Sequence, residues 1–129
     1  MTSRSTNIFI KEIVFREHMQ TILIIGGAGF IGANLVSYYC KKGNNVIILD
    51  NMSREKVSYN LTWLQKEYGS KITFLTADIR TDNTILSDVV EKVDVVFHLA
   101  GQVTVTKSVE NPMEDCFINI IGTLNILEA

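Results

Sequence analysis

Proline, cysteine and unbalanced charge are all scarce in this chain of 129 residues. A single proline, Pro112, and the lack of any repetitive tract leave no low-complexity linker, so the length suits one domain. Cys40 and Cys116 show no metal-ligand spacing, and each falls inside a helical pattern. Reduced, buried thiols in a cytoplasmic protein are the expectation. A net charge of -2 provides no basic surface for nucleic acid or an anionic membrane. No apolar run approaches the roughly 20 residues that a membrane-spanning helix requires. Residues 1–18 mix charges into short apolar pieces and lack the h-region and cleavage site of a signal peptide. They read as a disordered or loosely helical extension, with Ile8 to Ile10 as an alternative edge strand.

What remains is a chain that is 47% hydrophobic, with enough apolar residues for a core. Its organising stretch runs from Thr21 to Asp50. An apolar strand, Ile22 to Ile25, breaks into Gly26-Gly27-Ala28-Gly29-Phe30-Ile31-Gly32, and a helical pattern follows. Gly26, Gly29 and Gly32 have the spacing of a dinucleotide-binding turn. The first glycine permits the tight turn, the second a close backbone approach to a pyrophosphate, and the third close helix–strand packing. The pyrophosphate would rest on free N–H groups at the positive end of the helix. A second strand, Val46 to Leu49, ends in Asp50, placed to accept both ribose hydroxyls of an adenosine. Asp50 reads as a solvent-facing strand tip that supports no core.

Along the rest of the chain, strands and helices alternate. The first helix is expected to bury Ile31, Leu35 and Tyr38 or Tyr39, and to stop at Gly43. A second helix carries Val57, Leu61, Leu64 and Tyr68 and closes at Gly69. Lys71 to Thr76 alternates as a third strand. Asp82 or Asn83 caps a third helix bearing Ile85, Leu86, Val89 and Val90. Val93 to Leu99 is nearly all apolar, as a strand covered on both faces should be. A polar loop from Gly101 to Asn111 leads to Pro112, positioned as a first helical residue. The last helix displays Phe117, Ile120 or Ile121, Leu124 and Leu127. This order predicts an α/β fold: a Rossmann-type, doubly wound parallel sheet, truncated to about four strands and four helices. A ligand would lie outside the carboxyl ends of the strands, where the glycine turn, Asp50, Asp78-Ile79 and Leu99-Ala100-Gly101 converge.

GGAGFIG, the LDN after strand two, ADIR after strand three and FHLAGQ after strand four resemble the extended short-chain dehydrogenase/reductases, which include NAD-dependent nucleotide-sugar epimerases and dehydratases. Within that family, DNMSR followed by NLTWL, and HLAGQVTVTKS, are similar to the CDP-paratose 2-epimerases. The resemblance implies that residues 19–129 are the N-terminal part of an NAD-binding domain. Gly26, Gly29, Phe30, Ile31 and Gly32 would contact the pyrophosphate. Asp50 and Asn51 would hold the adenosine ribose, bordered by Ser53 and Arg54. Asp78 and Ile79 would flank the adenine, with the Asp78 carboxylate accepting its exocyclic amine. Leu99, Ala100 and Gln102 would line the path to the nicotinamide ribose, and Asn119 would support the cofactor site or its helix. The implied reaction removes hydride from C2 of a CDP-sugar and returns it to the other face. UDP-glucose 4-epimerase and dTDP-glucose 4,6-dehydratase chemistry are the alternatives. The implied partner is a nucleotide-sugar substrate, and a homo-oligomer is compatible with the family.

Catalysis in this family rests on a Ser or Thr and a Tyr-x-x-x-Lys beyond the region matched here, so no catalytic residue is assigned. Read as it stands, the chain is then a non-catalytic nucleotide-binding unit. Tyr38 and Lys42 have the catalytic spacing by accident, since they lie on the first helix, at its far end. His98 reads as a neutral core histidine and not as a metal ligand. Arg54 could attract a 2′-phosphate, but the Asp50 carboxylate would repel one, which favours NAD over NADP.

Overall fold

Thr21–Ile25 forms β1, in which Ile22, Leu23, Ile24 and Ile25 are wholly buried. The computed structural model describes residues 19–129, so the expected extension at 1–18, and the alternative strand within it, lie outside the described residues. After β1 come α1 (Phe30–Lys41), β2 (Asn45–Asp50), α2 (Val57–Tyr68), a 3₁₀ turn (Gly69–Lys71), β3 (Ile72–Thr76), α3 (Asn83–Val90) and β4 (Val95–His98). Two short helices follow, α4 (Val105–Glu110) and α5 (Pro112–Cys116). A π-helical turn (Phe117–Ile121) then carries α5 on into α6 (Gly122–Glu128). The four strands are parallel, in the order β3-β2-β1-β4. Ile24 stands opposite Ile48 on one side and Phe97 on the other.

Alternate residues of β1 feed two cores. Ile22 and Ile24 pack with Val46, Ile48, Val36 and Cys40 beneath α1 and α2. Leu23 and Ile25 pack with Leu49, Leu86, Val89 and Ile126 beneath α3 and α6. The sheet is therefore wound on both faces, as the alternation of strands and helices predicts. Burying each of the four β1 side chains contributes about 1.5–3 kcal/mol.

Two helices present faces other than those the apolar spacing suggests. In α1 the buried residues are Gly32, Ala33, Val36, Ser37 and Cys40; of the expected stripe Leu35 and Tyr39 pack partly buried against this core, while Ile31 and Tyr38 are exposed. The reason is Gly32. A Cβ there would stand 2.3 Å from the Gly26 carbonyl oxygen and 2.6 Å from Gly27 Cα, so the helix is rotated to seat its hydrogen on the turn. The same holds for the last helix, where Phe117, Ile120, Leu124 and Leu127 are exposed and Gly122 and Ile126 are buried. A Cβ on Gly122 would meet Ile79 Cδ1 at 2.5 Å, so the glycine lets α6 close onto the β3 exit.

β4 is shorter than the apolar run, and its four residues are only half-buried, because it forms one edge of the sheet. The polar loop expected from Gly101 to Asn111 contains α4, while Pro112 begins α5 as expected. Gly43 and Gly69 end α1 and α2 with positive φ, as expected of glycines at helix stops. Cys40 is buried and Cys116 is half-buried; both are free thiols. Burial pushes the Cys40 thiol upward in pKa, against the pull of Lys71.

Gly32→Ala adds its methyl to backbone atoms that cannot yield without opening the turn. It should cost about 2–3 kcal/mol, the upper end for overpacking, although alanine ordinarily favours a helix. Gly29→Ala meets only the Gly26 oxygen, at 3.2 Å, in an ordinary extended conformation. Its cost should stay below about 1 kcal/mol. Urea unfolding of both variants checks this, and equal losses would contradict the packing account.

Candidate functional site: the crevice at the carboxyl ends of the strands

The glycine turn is held by contacts within the chain itself. Gly26 adopts φ +80° and donates its N–H to the Leu49 carbonyl at 2.7 Å. A Cβ on it would lie 2.8 Å from the Ala100 nitrogen, so the β4 exit closes against the turn. Ala28, wholly buried, is held at both polar atoms. Its N–H donates to Asp50 Oδ2 at 3.1 Å, and its carbonyl accepts from Asn60 Nδ2 at 2.9 Å. Asn60 comes from α2, and the sequence assigns it no role beyond its place in the NLTWL resemblance. The first turn of α1 begins at Gly29 with no side-chain cap, which leaves its leading amides for an anion. Phe30 and Ile31 flank this point with exposed side chains. The small residues and uncapped amides fit a pyrophosphate.

Asp50 is not a bare strand tip. Besides bracing Ala28, its Oδ1 accepts the Met52 N–H at 2.9 Å. A carboxylate offers about four lone-pair sites, so two remain for a ribose diol. Asn51 ties the tips of β2 and β3 together, accepting from the Ser53 N–H at 3.1 Å and donating to Asp78 Oδ2 at 3.2 Å. Arg54 donates from Nη2 to the Gly101 carbonyl at 2.8 Å.

Asp78 is the most heavily engaged group. Its Oδ1 accepts from Arg80 N–H and Nε, at 2.9 and 3.0 Å, and its Oδ2 from Arg80 Nη2 and Asn51 Nδ2, at 2.7 and 3.2 Å. The Arg80 guanidinium holds this carboxyl well below the usual carboxylate range. Offering it to an adenine amine requires that one of these donors yield. Ile79 turns its side chain into the core beneath Gly122, and its carbonyl accepts from Asn125 Nδ2 at 2.8 Å. Asp82 stands at the N-cap of α3, but its carboxylate goes to the Asp78 N–H at 2.7 Å and not to the helix. Arg80 enters the sequence reading only as part of the ADIR run. It links this loop to α5 through Glu114 at 3.5 Å.

On the β4 side, Leu99 is partly exposed and donates its N–H to the Ile25 carbonyl at 2.8 Å. Gln102 is fastened at its backbone by Asn119, whose Oδ1 accepts its N–H at 2.8 Å and whose Nδ2 donates to its carbonyl at 3.0 Å. The Gln102 side chain folds back on the N–H groups of Val103 and Thr104. Asn119 thus holds the β4 exit, and it does so from the π-helical turn, a local widening that often marks functional sites. Asp115 and Ser108 extend the network, with Ser108 Oγ donating to Asp115 Oδ1 at 2.6 Å and Asn119 Nδ2 to the same oxygen at 3.2 Å.

Tyr38 and Lys42 lie at the end of α1 remote from the glycine turn, with the ammonium 4.9 Å from the ring centroid. His98 points at the last helix. Thr123 Oγ1 donates its one hydrogen to the Asn119 carbonyl at 2.7 Å, so His98 Nε2 must donate to Thr123, at 3.0 Å. The ring is neutral, protonated on Nε2, and its Nδ1 is buried with no partner. Among the described residues no cluster of His, Cys, Asp or Glu could hold a metal ion, and no helix is long and apolar enough to cross a membrane.

Sheet order and crevice together define a Rossmann-type α/β domain. Its family follows from the sequence: the model of the GDP-mannose 4,6 dehydratase family matches residues 23–129, and the chain belongs to that family of nucleotide-sugar epimerases and dehydratases. A CDP-paratose 2-epimerase from Salmonella typhi is 43% identical over 109 residues, covering 84% of this chain and 32% of the relative. A putative UDP-glucose 4-epimerase from Methanocaldococcus jannaschii is 41% identical over 107 residues, covering 83% of this chain and 32% of the relative. The structure of a Thermus thermophilus UDP-glucose 4-epimerase in complex with NAD superposes with a TM-score of 0.69 at 32% identity, covering 84% of this chain and 32% of that one. The chain spans about a third of the length of the curated relatives it matches.

Burial pushes the His98 pKa below its ordinary value of 6.5. The unfolded imidazole therefore takes up a proton at a pH where the folded one refuses it. The stability gained is whole above about pH 6.5 and is lost as pH falls through the folded value. Urea midpoints should drop between pH 7.5 and 5.5, with a shallower drop in His98→Phe. Equal pH slopes in the two chains would contradict this assignment.

Proposed function

We propose that the crevice holds NAD, and that this chain is the cofactor-holding part of an NAD-dependent nucleotide-sugar epimerase of the CDP-paratose 2-epimerase type. The observation that carries the reading is the position of Asp50. It stands against the glycine turn with two acceptor sites spare, where a ribose diol would satisfy them and a 2′-phosphate would be repelled. NAD, when bound, supplies a reversible hydride acceptor. The chain's own residues bind and orient it: the turn from Gly26 to Gly32 takes the pyrophosphate, and Asp50 and Asn51 the adenosine ribose. Leu99, Ala100 and Gln102 border the nicotinamide side. CDP-sugar is favoured by the DNMSR–NLTWL and HLAGQVTVTKS segments and by the 43% identity to the Salmonella enzyme. UDP-glucose 4-epimerase is the second reading, supported by relatives of nearly equal identity.

Within the 129 residues the one Tyr-x-x-x-Lys is Tyr38 and Lys42, remote from the crevice. The chain by itself should bind NAD and turn over no sugar nucleotide. A preparation of this chain that epimerised CDP-paratose or UDP-glucose unaided would refute that part of the reading.

Asp50→Ala should weaken NAD by about 1.5–3 kcal/mol, the range for hydrogen bonds to a charged group, which is roughly ten- to hundredfold in dissociation constant. Because Asp50 also accepts from Ala28 and Met52, the substitution should lower stability by about 1–2 kcal/mol. Calorimetry with NAD and urea unfolding on the same protein separate the two effects. An unchanged affinity would mean that this acid does not hold the ribose.

A further inference from the structure

Asp50 and Asp78 stand at the exits of neighbouring strands, yet their carboxylates are not equally available. Two donors, the N–H groups of Ala28 and Met52, occupy Asp50. Four occupy Asp78. Its Oδ1 takes the Arg80 N–H at 2.9 Å and Nε at 3.0 Å, and its Oδ2 takes Arg80 Nη2 at 2.7 Å and Asn51 Nδ2 at 3.2 Å. A carboxylate has about four lone-pair sites. Asp78 therefore has none to spare for a ligand.

The backbone presets this arrangement. Asp78 gives its own N–H to Asp82 Oδ2 at 2.7 Å, and its carbonyl accepts the N–H groups of Thr81 and Asp82 at 3.1 and 2.9 Å. The Arg80 carbonyl accepts from Asn125 Nδ2 at 3.2 Å, which ties the loop to α6, and Arg80 Nη1 reaches Glu114 at 3.5 Å. The guanidinium thus meets the carboxylate with Nε and Nη2, each on a different oxygen, the paired geometry in which arginine holds a carboxylate most firmly.

A base carried by a ribose on Asp50 lies toward this loop, because Asn51, the next residue, bonds Asp78. To accept the 6-amino group of an adenine, Asp78 has to release a donor. Exchanging the Asn51 amide for the amine trades one neutral donor for another and gains nothing. Releasing the guanidinium gives up a charge-assisted bond, roughly twice as strong. We propose that Arg80 is a specificity residue that shuts the Asp78 carboxylate to the ligand, so that the crevice takes a purine nucleotide without reading the 6-amino group of its base. This rests on the reading of the crevice as a nucleotide site. It departs from the contact that the family resemblance implies, in which Asp78 accepts the exocyclic amine.

The test is equilibrium titration of the chain with ADP and with purine riboside 5′-diphosphate, which differs only in lacking the 6-amino group. Wild type should bind the two within about threefold, whereas a carboxylate paired with the amine would favour ADP by about tenfold or more. In Arg80→Ala the freed oxygens can take the amine, and the preference for ADP should rise about tenfold. Arg80→Lys, with one donor head in place of the fork, should move the same way by less, and it carries the test if urea curves show the alanine variant unfolded. A wild-type preference for ADP above about threefold, or a preference that neither variant raises, would overturn the proposal. A wild-type chain that binds neither nucleotide would overturn the nucleotide reading and this inference with it, whereas binding of both leaves that reading standing whatever their ratio.

Discussion

The site depends on one residue being held at both ends of its peptide unit. Ala28 gives its N–H to Asp50 and takes the amide of Asn60 at its carbonyl, so the middle of the glycine turn is fixed by β2 and α2 at once. With Ala28 held, Gly32 can seat directly on Gly26 and Gly27, and that contact sets the rotation of α1. The rotation decides which residues reach the first core and which stand at the crevice. Asp50 thus links the local chemistry of the turn to the packing of the sheet. In a buried setting such bonds matter more for the cost of leaving them unmade than for their net gain.

A second consequence is that the crevice comes pre-wired across its width. Asn51 joins the β2 exit to Asp78, Arg80 locks Asp78 and reaches Glu114, and Asn119 fastens Gln102. The polar groups at the strand ends are mostly spent on one another. The uncapped first turn of α1 and the lone pairs of Asp50 beyond those used by Ala28 and Met52 stay open among them.

The strand–glycine turn–helix–strand unit, the parallel order and the helix stops at Gly43 and Gly69 are all legible in the sequence, because each rests on a local rule of spacing or backbone freedom. The rotation of α1 and of the last helix is not. Apolar periodicity assigns Ile31 and Leu124 inward, but the close contacts of Gly32 with the backbone of the turn and of Gly122 with the Ile79 side chain override it. The double duty of Asp50, and the occupation of the Asp78 carboxylate by Arg80 and Asn51, depend on partners distant along the chain or on side-chain geometry that spacing does not encode. Asn60 lies within the NLTWL segment, yet its reach to Ala28 follows only from how α2 packs. Arg54 is legible as a charge near the site; its direction is not.

The most direct test of the account is a nitrogen–proton correlation NMR titration of the chain with NAD. Four strand ends are expected to respond together: the amides from Gly26 to Gly32, those of Asp50 to Arg54, those around Asp78, and those from Leu99 to Gln102. The far ends of α1 and α2, Tyr38 and Tyr68 among them, should stay still. Shifts absent from the glycine turn, or centred at the opposite edge of the sheet, would contradict the crevice as the cofactor site.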